Sequence, residues 1–80
     1  MNVIIYTIQT CPWCDKLKTF LKNKKIKFEE RDVKEEGKWR QELLEKTSQT
    51  AVPVTEIDDE LIIGFDEKVI EEAIQKAKNK

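Results

Sequence analysis

Residues 2–21, NVIIYTIQTCPWCDKLKTFL, place an apolar run, a Cys-x-x-Cys pair and a helical pattern in immediate succession. The run over residues 2–7 is rich in β-branched and aromatic residues, so it predicts a buried β-strand. Pro12 suits the first turn of a helix, where its missing N–H costs nothing, and Thr10 is expected to cap that helix. Apolar residues at helical spacing carry the helix to about residue 23. A strand that leads directly into a helix therefore frames the two cysteines.

The chain's only two cysteines, Cys11 and Cys14, occupy the junction between this strand and this helix. Cys14 precedes Leu17 by three residues and so shares the apolar face, whereas Cys11 lies before the first turn. We therefore expect an exposed first sulfur and an inward-facing second one. The unpaired N–H groups and the dipole at a helix N-terminus favour a thiolate, which suits thiol–disulfide exchange.

The rest of the chain alternates between strand and helix patterns. The predicted elements are a strand over 27–33, a helix over 35–46, a hairpin of strands 54–57 and 60–63, and a helix over 66–78. The residues expected to face inward from the two helices are Trp39, Leu43 and Leu44, then Val69, Ile70, Ala73, Ile74 and Ala77. The order β-α-β-α-β-β-α predicts an α/β fold with a four-stranded mixed sheet flanked by three helices on its two faces. We expect a single domain over residues 1–80.

Composition narrows the class of protein. With 39% hydrophobic and 39% charged residues, the chain has a globular profile rather than a disordered one. The 15 basic and 16 acidic side chains nearly balance, so we expect neither a nucleic-acid partner nor an anionic membrane surface. No apolar run approaches the roughly 20 residues of a membrane span. We expect a soluble, cytoplasmic monomer whose two cysteines cycle in a reducing compartment.

A metal site is the main alternative for a Cys-x-x-Cys pair. Zinc or an iron–sulfur cluster needs further thiolate or imidazole ligands, and this chain has two Cys and no His. Only a dimer could complete a four-cysteine site, or a bridged cluster that uses Cys11 together with a small-molecule thiol. We therefore expect no metal, and a metal or cluster carrier stays as the alternative.

Three motifs together carry a resemblance to a known family; they are Cys11-Pro12-Trp13-Cys14 after a strand, Ala51-Val52-Pro53 before a hairpin, and Gly64-Phe65-Asp66-Glu67 at the last helix. In this arrangement the chain resembles the glutaredoxin family and its small glutaredoxin-like relatives over essentially its whole length. The resemblance implies a thioredoxin-like fold and a thiol–disulfide oxidoreductase. It also implies that Cys11 is the nucleophile and Cys14 the resolving cysteine of a redox-active pair. With no His as a base, activation must come from the helix terminus, nearby donors and local positive charge.

The resemblance further implies a docking surface for glutathione, which would be the reductant and co-substrate. The peptide bond before Pro53 would be cis, so that the backbone of Val52 is presented to an extended substrate. From the residues alone, Pro53 would be an edge or turn proline, Asp66 a helix cap and Trp13 a surface aromatic. The glutathione- and substrate-binding residues that the resemblance implies are Pro12, Trp13, Arg40, Ala51, Val52, Pro53, Gly64, Phe65 and Asp66.

Two departures from the family pattern affect the choice of reductant. Ile8 stands where many glutaredoxins have a lysine three residues before the first cysteine, and Ile63 precedes Gly64 where many have a second glycine. Arg40 is a candidate replacement cation or simply an exposed arginine on a charged helix. Gly64-Phe65 also resembles the glutaredoxin-like hydrogen donors to ribonucleotide reductase. The implied partners are therefore glutathione and oxidised or glutathionylated proteins, with thioredoxin reductase as the alternative reductant.

Overall fold

A computed structural model of the protein describes residues 2–35, 37–49 and 51–79. Its elements in chain order are β1 (Val3–Thr7), α1 (Pro12–Asn23), β2 (Glu29–Asp32), α2 (Gly37–Thr47), β3 (Val54–Ile57), β4 (Glu60–Ile63) and α3 (Glu67–Lys78). The predicted order of strands and helices is confirmed. None of the helices in the described ranges has both the length and the apolar character needed to cross a bilayer.

The four strands form one mixed sheet in the order β2-β1-β3-β4. Strands β1 and β2 are parallel and are joined through α1, whereas β3 pairs antiparallel with both β1 and β4. A parallel pair needs a crossover, and α1 provides it, while the short turn at Asp58 suffices for the β3–β4 hairpin. The predicted α/β architecture with a four-stranded mixed sheet is therefore confirmed.

Helices α1 and α3 cover one face of the sheet. Leu17 and Leu21 of α1 and Ile70 of α3 have no exposed surface. They pack against sheet residues such as Ile5 and Ile57, which are also buried. Because burial of apolar surface is the main favourable term in folding, this larger cluster holds α1, and with it the cysteine pair, against the sheet.

Helix α2 covers the opposite face with a smaller core. Leu43 packs against Tyr6, Val33 and Val54. Tyr6 is fully buried, and its hydroxyl satisfies its hydrogen-bonding needs by donating to Glu42 Oε1 at 2.9 Å. Helices therefore lie on both faces of the sheet, as predicted.

Two predicted boundaries were wrong by two residues. Strand β2 begins at Glu29 rather than at residue 27, because this edge strand pairs only with β1 and the pairing starts at Ile4–Glu29. Helix α2 begins at Gly37 rather than at residue 35. The carboxylate of Asp32 accepts hydrogen bonds from the backbone N–H groups of residues 34 and 35, which holds them in a turn instead. Position 36 of the predicted helix lies outside the described residues.

Two residues expected to face inward are exposed instead. Leu44 is 41% exposed and Val69 is 43% exposed. Leu44 follows the fully buried Leu43, and Val69 precedes the fully buried Ile70. One residue along a helix is a rotation of about 100° around its axis. That rotation carries both side chains past the edge of the apolar stripe.

Candidate active site

The first cysteine is the N-cap of α1. Cys11 has an extended backbone (φ −108°, ψ 107°), and its Sγ atom accepts a hydrogen bond from the backbone N–H of Cys14 at 3.1 Å. Its carbonyl accepts the first helical hydrogen bond, from the N–H of Asp15. The expected cap at Thr10 was therefore wrong, because Pro12 already occupies the first helical position and the residue before it takes the capping conformation.

The two sulfurs differ in burial, though less than expected. Cys14 has no exposed surface, which confirms its inward orientation, and Cys11 is only 9% exposed. The expectation of an exposed Cys11 was wrong because the capping hydrogen bond turns its side chain back over the first turn of α1. Both residues are free thiols in this structure. Cys11 is therefore the cysteine of the pair that has some surface in contact with solvent.

The environment of Cys14 keeps that side chain protonated. Burial, and then a hydrogen bond with the side chain of Cys11, raise the pKa of Cys14 to about 12. The backbone of Ile8 and the charge of Lys18 act in the opposite direction. A thiol must become a thiolate before it attacks a disulfide, so Cys14 is poised as a protonated, shielded second thiol.

The segment before β3 has the geometry that the family resemblance implies. The Val52–Pro53 peptide bond is cis, as predicted. Pro53 is buried and Ala51 is exposed. The side chain of Val52 packs on the α2 core, while its backbone N–H and C=O make no hydrogen bond to any residue that the structure describes. These two backbone groups are therefore free to pair with an extended peptide.

A hydrogen bond joins this segment to the loop after β4. The backbone N–H of Gly64 donates to the carbonyl of Pro53 at 2.8 Å. Gly64 has a φ of 85°, in the left-handed region that glycine adopts without steric cost. The structure thus brings together two of the three motifs, and the turn at Gly64 leads the chain into Phe65.

Phe65 in turn connects the loop to the cysteine motif. Its ring centroid lies 6.3 Å from that of Trp13 and 5.9 Å from that of Phe20, so the three rings form a row along α1. Trp13 is 55% exposed and carries the ammonium of Lys16 at 4.3 Å from its ring centroid. A shallow groove of about 350 Å³ opens beside Phe65 and Phe20. Trp13, the exposed ring of the three, therefore forms an aromatic wall beside Pro12, the exposed first residue of α1.

Asp66 is the N-cap of α3. Its Oδ1 atom accepts hydrogen bonds from the backbone N–H groups of Lys68 and Val69, at 3.1 and 3.3 Å. The interpretation of Asp66 as a helix cap is confirmed. In the described part of the chain, the backbone N–H groups of Asp66 and Glu67 have no acceptor. The start of α3 thus keeps two free donors beside an exposed carboxylate.

Arg40 is not brought into this arrangement. Its side chain is exposed on α2, and it makes no hydrogen bond or ion pair with any residue in the described ranges. Another cation, Lys18, was not predicted from the sequence, and its charge acts on Cys14. The signal was available, because residues four apart on a helix share a face.

Metal-binding groups are sparse in this site. The described residues contain no cluster of three or more Cys, Asp or Glu side chains that could hold a metal ion.

Comparison with known proteins gives one consistent family. A family model described as Glutaredoxin matches residues 3–62. The chain is 42% identical over 72 residues to an uncharacterized glutaredoxin-like 8.6 kDa protein in the rubredoxin operon of Clostridium pasteurianum, covering 90% of this chain and 96% of the relative. It is 36% identical over 66 residues to glutaredoxin 3 of Escherichia coli strain K12, covering 82% of this chain and 80% of the relative.

Solved structures match the fold over most of the chain. NrdH-redoxin from Escherichia coli is described as a glutaredoxin-like protein with a thioredoxin-like activity profile. Its structure matches with a TM-score of 0.79 and 26% sequence identity, covering 90% of this chain and 93% of that one. The predicted thioredoxin-like fold is confirmed by solved structures of this class.

Proposed function

This chain belongs to the glutaredoxin family, and we propose that it is a dithiol oxidoreductase that reduces protein disulfides or glutathione mixed disulfides. The observation that carries this proposal is the hydrogen bond from the N–H of Cys14 to the sulfur of Cys11 at the start of α1. A donor aimed at a sulfur, at the positive end of a helix dipole, stabilises the thiolate that exchange requires.

The proposed reaction uses the two thiols in sequence. The Cys11 thiolate attacks one sulfur of the substrate disulfide, forms a mixed disulfide and releases the other substrate sulfur as a thiolate. The Cys14 sulfur, once deprotonated, then attacks Cys11, releases the reduced substrate and leaves an internal disulfide. The two electrons that reduce the substrate come from the two thiols, so a second dithiol or two monothiols must regenerate them.

We propose glutathione as that reductant. An extended tripeptide could pair with the free backbone N–H and C=O of Val52, in the manner of an added strand. Its γ-glutamyl carboxylate would meet the free N–H groups of Asp66 and Glu67, and its ammonium would face the Asp66 carboxylate. Trp13 would wall the groove on the α1 side. The proposal for Arg40 as a glutathione-binding cation has less support, because no contact ties it to these residues.

Thioredoxin reductase is the second candidate reductant. Ile8 removes a cation that would otherwise lie near the thiolate and the glycyl carboxylate of glutathione. The similarity to NrdH-redoxin, described as having a thioredoxin-like activity profile, extends over 90% of this chain. Both observations favour a protein reductant that docks on the surface of this chain over the tripeptide glutathione.

We further propose that the protein acts as a monomer in the cytoplasm, on oxidised or glutathionylated proteins, without nucleic-acid or membrane partners. The near balance of 15 basic and 16 acidic side chains argues against nucleic-acid and anionic-membrane partners, because no long-range field attracts a polyanion. Elution of the reduced protein at the volume of an 80-residue chain in gel filtration would agree with a monomer. Elution as a dimer would overturn the monomer.

A reductant swap tests the proposal. The oxidised protein is mixed with a protein disulfide substrate and reduced either by glutathione with glutathione reductase or by thioredoxin reductase, and NADPH loss is followed. We expect turnover with glutathione and a potential of about −200 to −230 mV; a potential near −270 mV with turnover only by thioredoxin reductase would favour the second candidate. Cys11→Ser is the matched control and should show no turnover with either reductant.

A further inference from the structure

A charged side chain lies on the same helix face as the resolving thiol. Lys18 follows Cys14 by four residues in α1, and residues at this spacing are neighbours on the helix surface. Cys14 has no exposed surface, and the side chain of Lys18 is only 27% exposed. A lysine with a partly buried side chain is therefore held one helical turn away from a fully buried thiol.

Two carboxylates hold Lys18 in this place, and a buried hydroxyl holds one of them. Its Nζ atom lies 3.2 Å from Oε2 of Glu30 on β2 and 3.5 Å from Oδ1 of Asp15 on α1. The same Glu30 oxygen accepts a hydrogen bond at 2.8 Å from the hydroxyl of Thr7, which is fully buried on β1. The network joins α1, β1 and β2, so the ammonium cannot move away without breaking it.

The network also keeps Lys18 charged. Its hydrogen bond with Glu30 is the main reason that its pKa is raised, and it outweighs the opposing effect of burial. A lysine that holds its proton cannot take one from a thiol, so it acts as a fixed charge and not as a base. The charged or titratable side chains that act on Cys14 are Lys18 and Cys11, while Asp15 and Glu30 face the ammonium.

We propose that Lys18 is a positioning residue for the resolving step, in which its fixed positive charge stabilises the Cys14 thiolate that attacks the mixed disulfide. This inference rests on the dithiol function proposed above. Every dithiol exchange must generate that second thiolate, so this role for Lys18 requires no reaction beyond the proposed one.

The S–H bond of Cys14 breaks and its electron pair forms a new S–S bond to the sulfur of Cys11. The S–S bond between Cys11 and the substrate breaks, its electron pair leaves on the substrate sulfur, and that sulfur takes up a proton equivalent to the one that Cys14 lost. Lys18 neither gains nor loses a proton and stays paired with Glu30 throughout.

A single-turnover assay separates the two thiols. The reduced protein is mixed with a limiting amount of dithiobis(nitrobenzoate), and release of nitrothiobenzoate is followed by stopped-flow absorbance. Attack by Cys11 releases the first chromophore and leaves a mixed disulfide, and ring closure by Cys14 releases the second. The first phase therefore tests the proposed nucleophile, and the second phase alone tests the resolving step.

Lys18→Met removes the charge and keeps the aliphatic stem. We expect the second phase to slow by about threefold to tenfold at neutral pH, since a shift of one pKa unit is a tenfold change in thiolate. The pH profile of this phase should move upward, while the first phase stays unchanged. Lys18→Arg, which keeps the charge, should retain the wild-type second phase, and Lys22→Met, which removes an exposed charge about two turns away from Cys14 on the same helix, should match the wild type.

Two results would overturn the inference. One is a second phase in Lys18→Met with the rate and pH profile of the wild type. The other is equal slowing in Lys18→Met and Lys18→Arg without a shift of the pH profile, which is the outcome of a merely structural role. Absence of any second phase in the wild type would instead overturn the dithiol function, and the role of Lys18 with it.

Discussion

The backbone N–H of Cys14 donates a hydrogen bond to the Sγ atom of Cys11 across 3.1 Å. One contact thus caps a helix and directs a donor at the sulfur proposed as the nucleophile. Serine is also a good N-cap, so replacing Cys11 by serine should keep the helix while removing the reactive sulfur. The folding role and the chemical role of this contact are therefore separable by experiment.

The difference in burial between the two thiols predicts selective alkylation. In the reduced protein at neutral pH, iodoacetamide should modify Cys11 and leave Cys14 intact, because Cys14 is fully buried and its pKa is about 12. Peptide mass spectrometry after a short pulse measures the two sites. In denaturant both cysteines should react alike, which serves as the control. Modification of native Cys14 as fast as Cys11 would contradict the burial described here.

Substitutions of Asp66 should separate capping from glutathione binding. Asp66→Ala removes the cap of α3 and should lower the free energy of unfolding by about 1 kcal/mol, whereas Asp66→Asn should change it little. Urea titration measures this effect. If the carboxylate also binds the γ-glutamyl ammonium, both variants should raise the KM for glutathione. A normal KM in Asp66→Asn would remove the carboxylate from the proposed glutathione site.

Trp13 and Phe65 should differ in what they contribute. Trp13 is 55% exposed, so Trp13→Ala should change the free energy of unfolding by no more than about 0.5 kcal/mol, yet reduce kcat/KM several-fold by removing the exposed ring beside the cysteine motif. Phe65 packs against the main core, so Phe65→Ala should cost about 2 kcal/mol. Chemical denaturation and steady-state assays of both variants check this. Trp13→Ala with wild-type kcat/KM would show that the aromatic wall does not contact the substrate.

Stability should fall at acid pH because of a charge network on the α2 side. Burial raises the pKa of Glu42, but the hydrogen bond from Tyr6 and the charge of Arg31 outweigh it, so that the pKa lies below its usual 4.5. A depressed carboxyl pKa stabilises the fold above pH 4.5, and this contribution is lost as pH falls through the lower folded value. Glu42→Gln should reduce the loss of unfolding free energy at acid pH, measured by urea titration across pH. Glu72→Gln, at an exposed position on α3, should leave that loss unchanged. Identical pH profiles for wild type and Glu42→Gln would contradict the network's role.

Much of the fold was predictable because apolar residues keep the regular spacing of a helix or a strand along most of this chain. The predicted start of α2 was wrong because local hydrogen bonds determine it: the side chain of Asp32 holds residues 34 and 35 in a turn. The predicted inward orientation was wrong for side chains at the edges of the apolar helix faces. Leu44 and Val69 are each one residue away from a buried neighbour and are exposed. Periodicity locates the centre of a buried face well and its edges poorly.

The site was predictable in its motifs but not in its electrostatics. The spacing of Cys11 and Cys14 and the cis bond before Pro53 follow from local sequence and family resemblance. The low exposure of Cys11 depends on one capping hydrogen bond, and sequence patterns do not report side-chain rotation. The ion pair between Lys18 and Glu30 joins a helix to a strand twelve residues later, which only the packed structure brings together.

The division of labour between the two cysteines is the central claim, and trapping a mixed disulfide tests it most directly. Cys14→Ser and Cys11→Ser are each incubated with glutathione disulfide, and the intact proteins are weighed by mass spectrometry before and after a reducing agent. We predict one reducible glutathione adduct on Cys14→Ser, and none on Cys11→Ser under the same conditions. An adduct on Cys11→Ser with none on Cys14→Ser would contradict the assignment of Cys11 as the nucleophile.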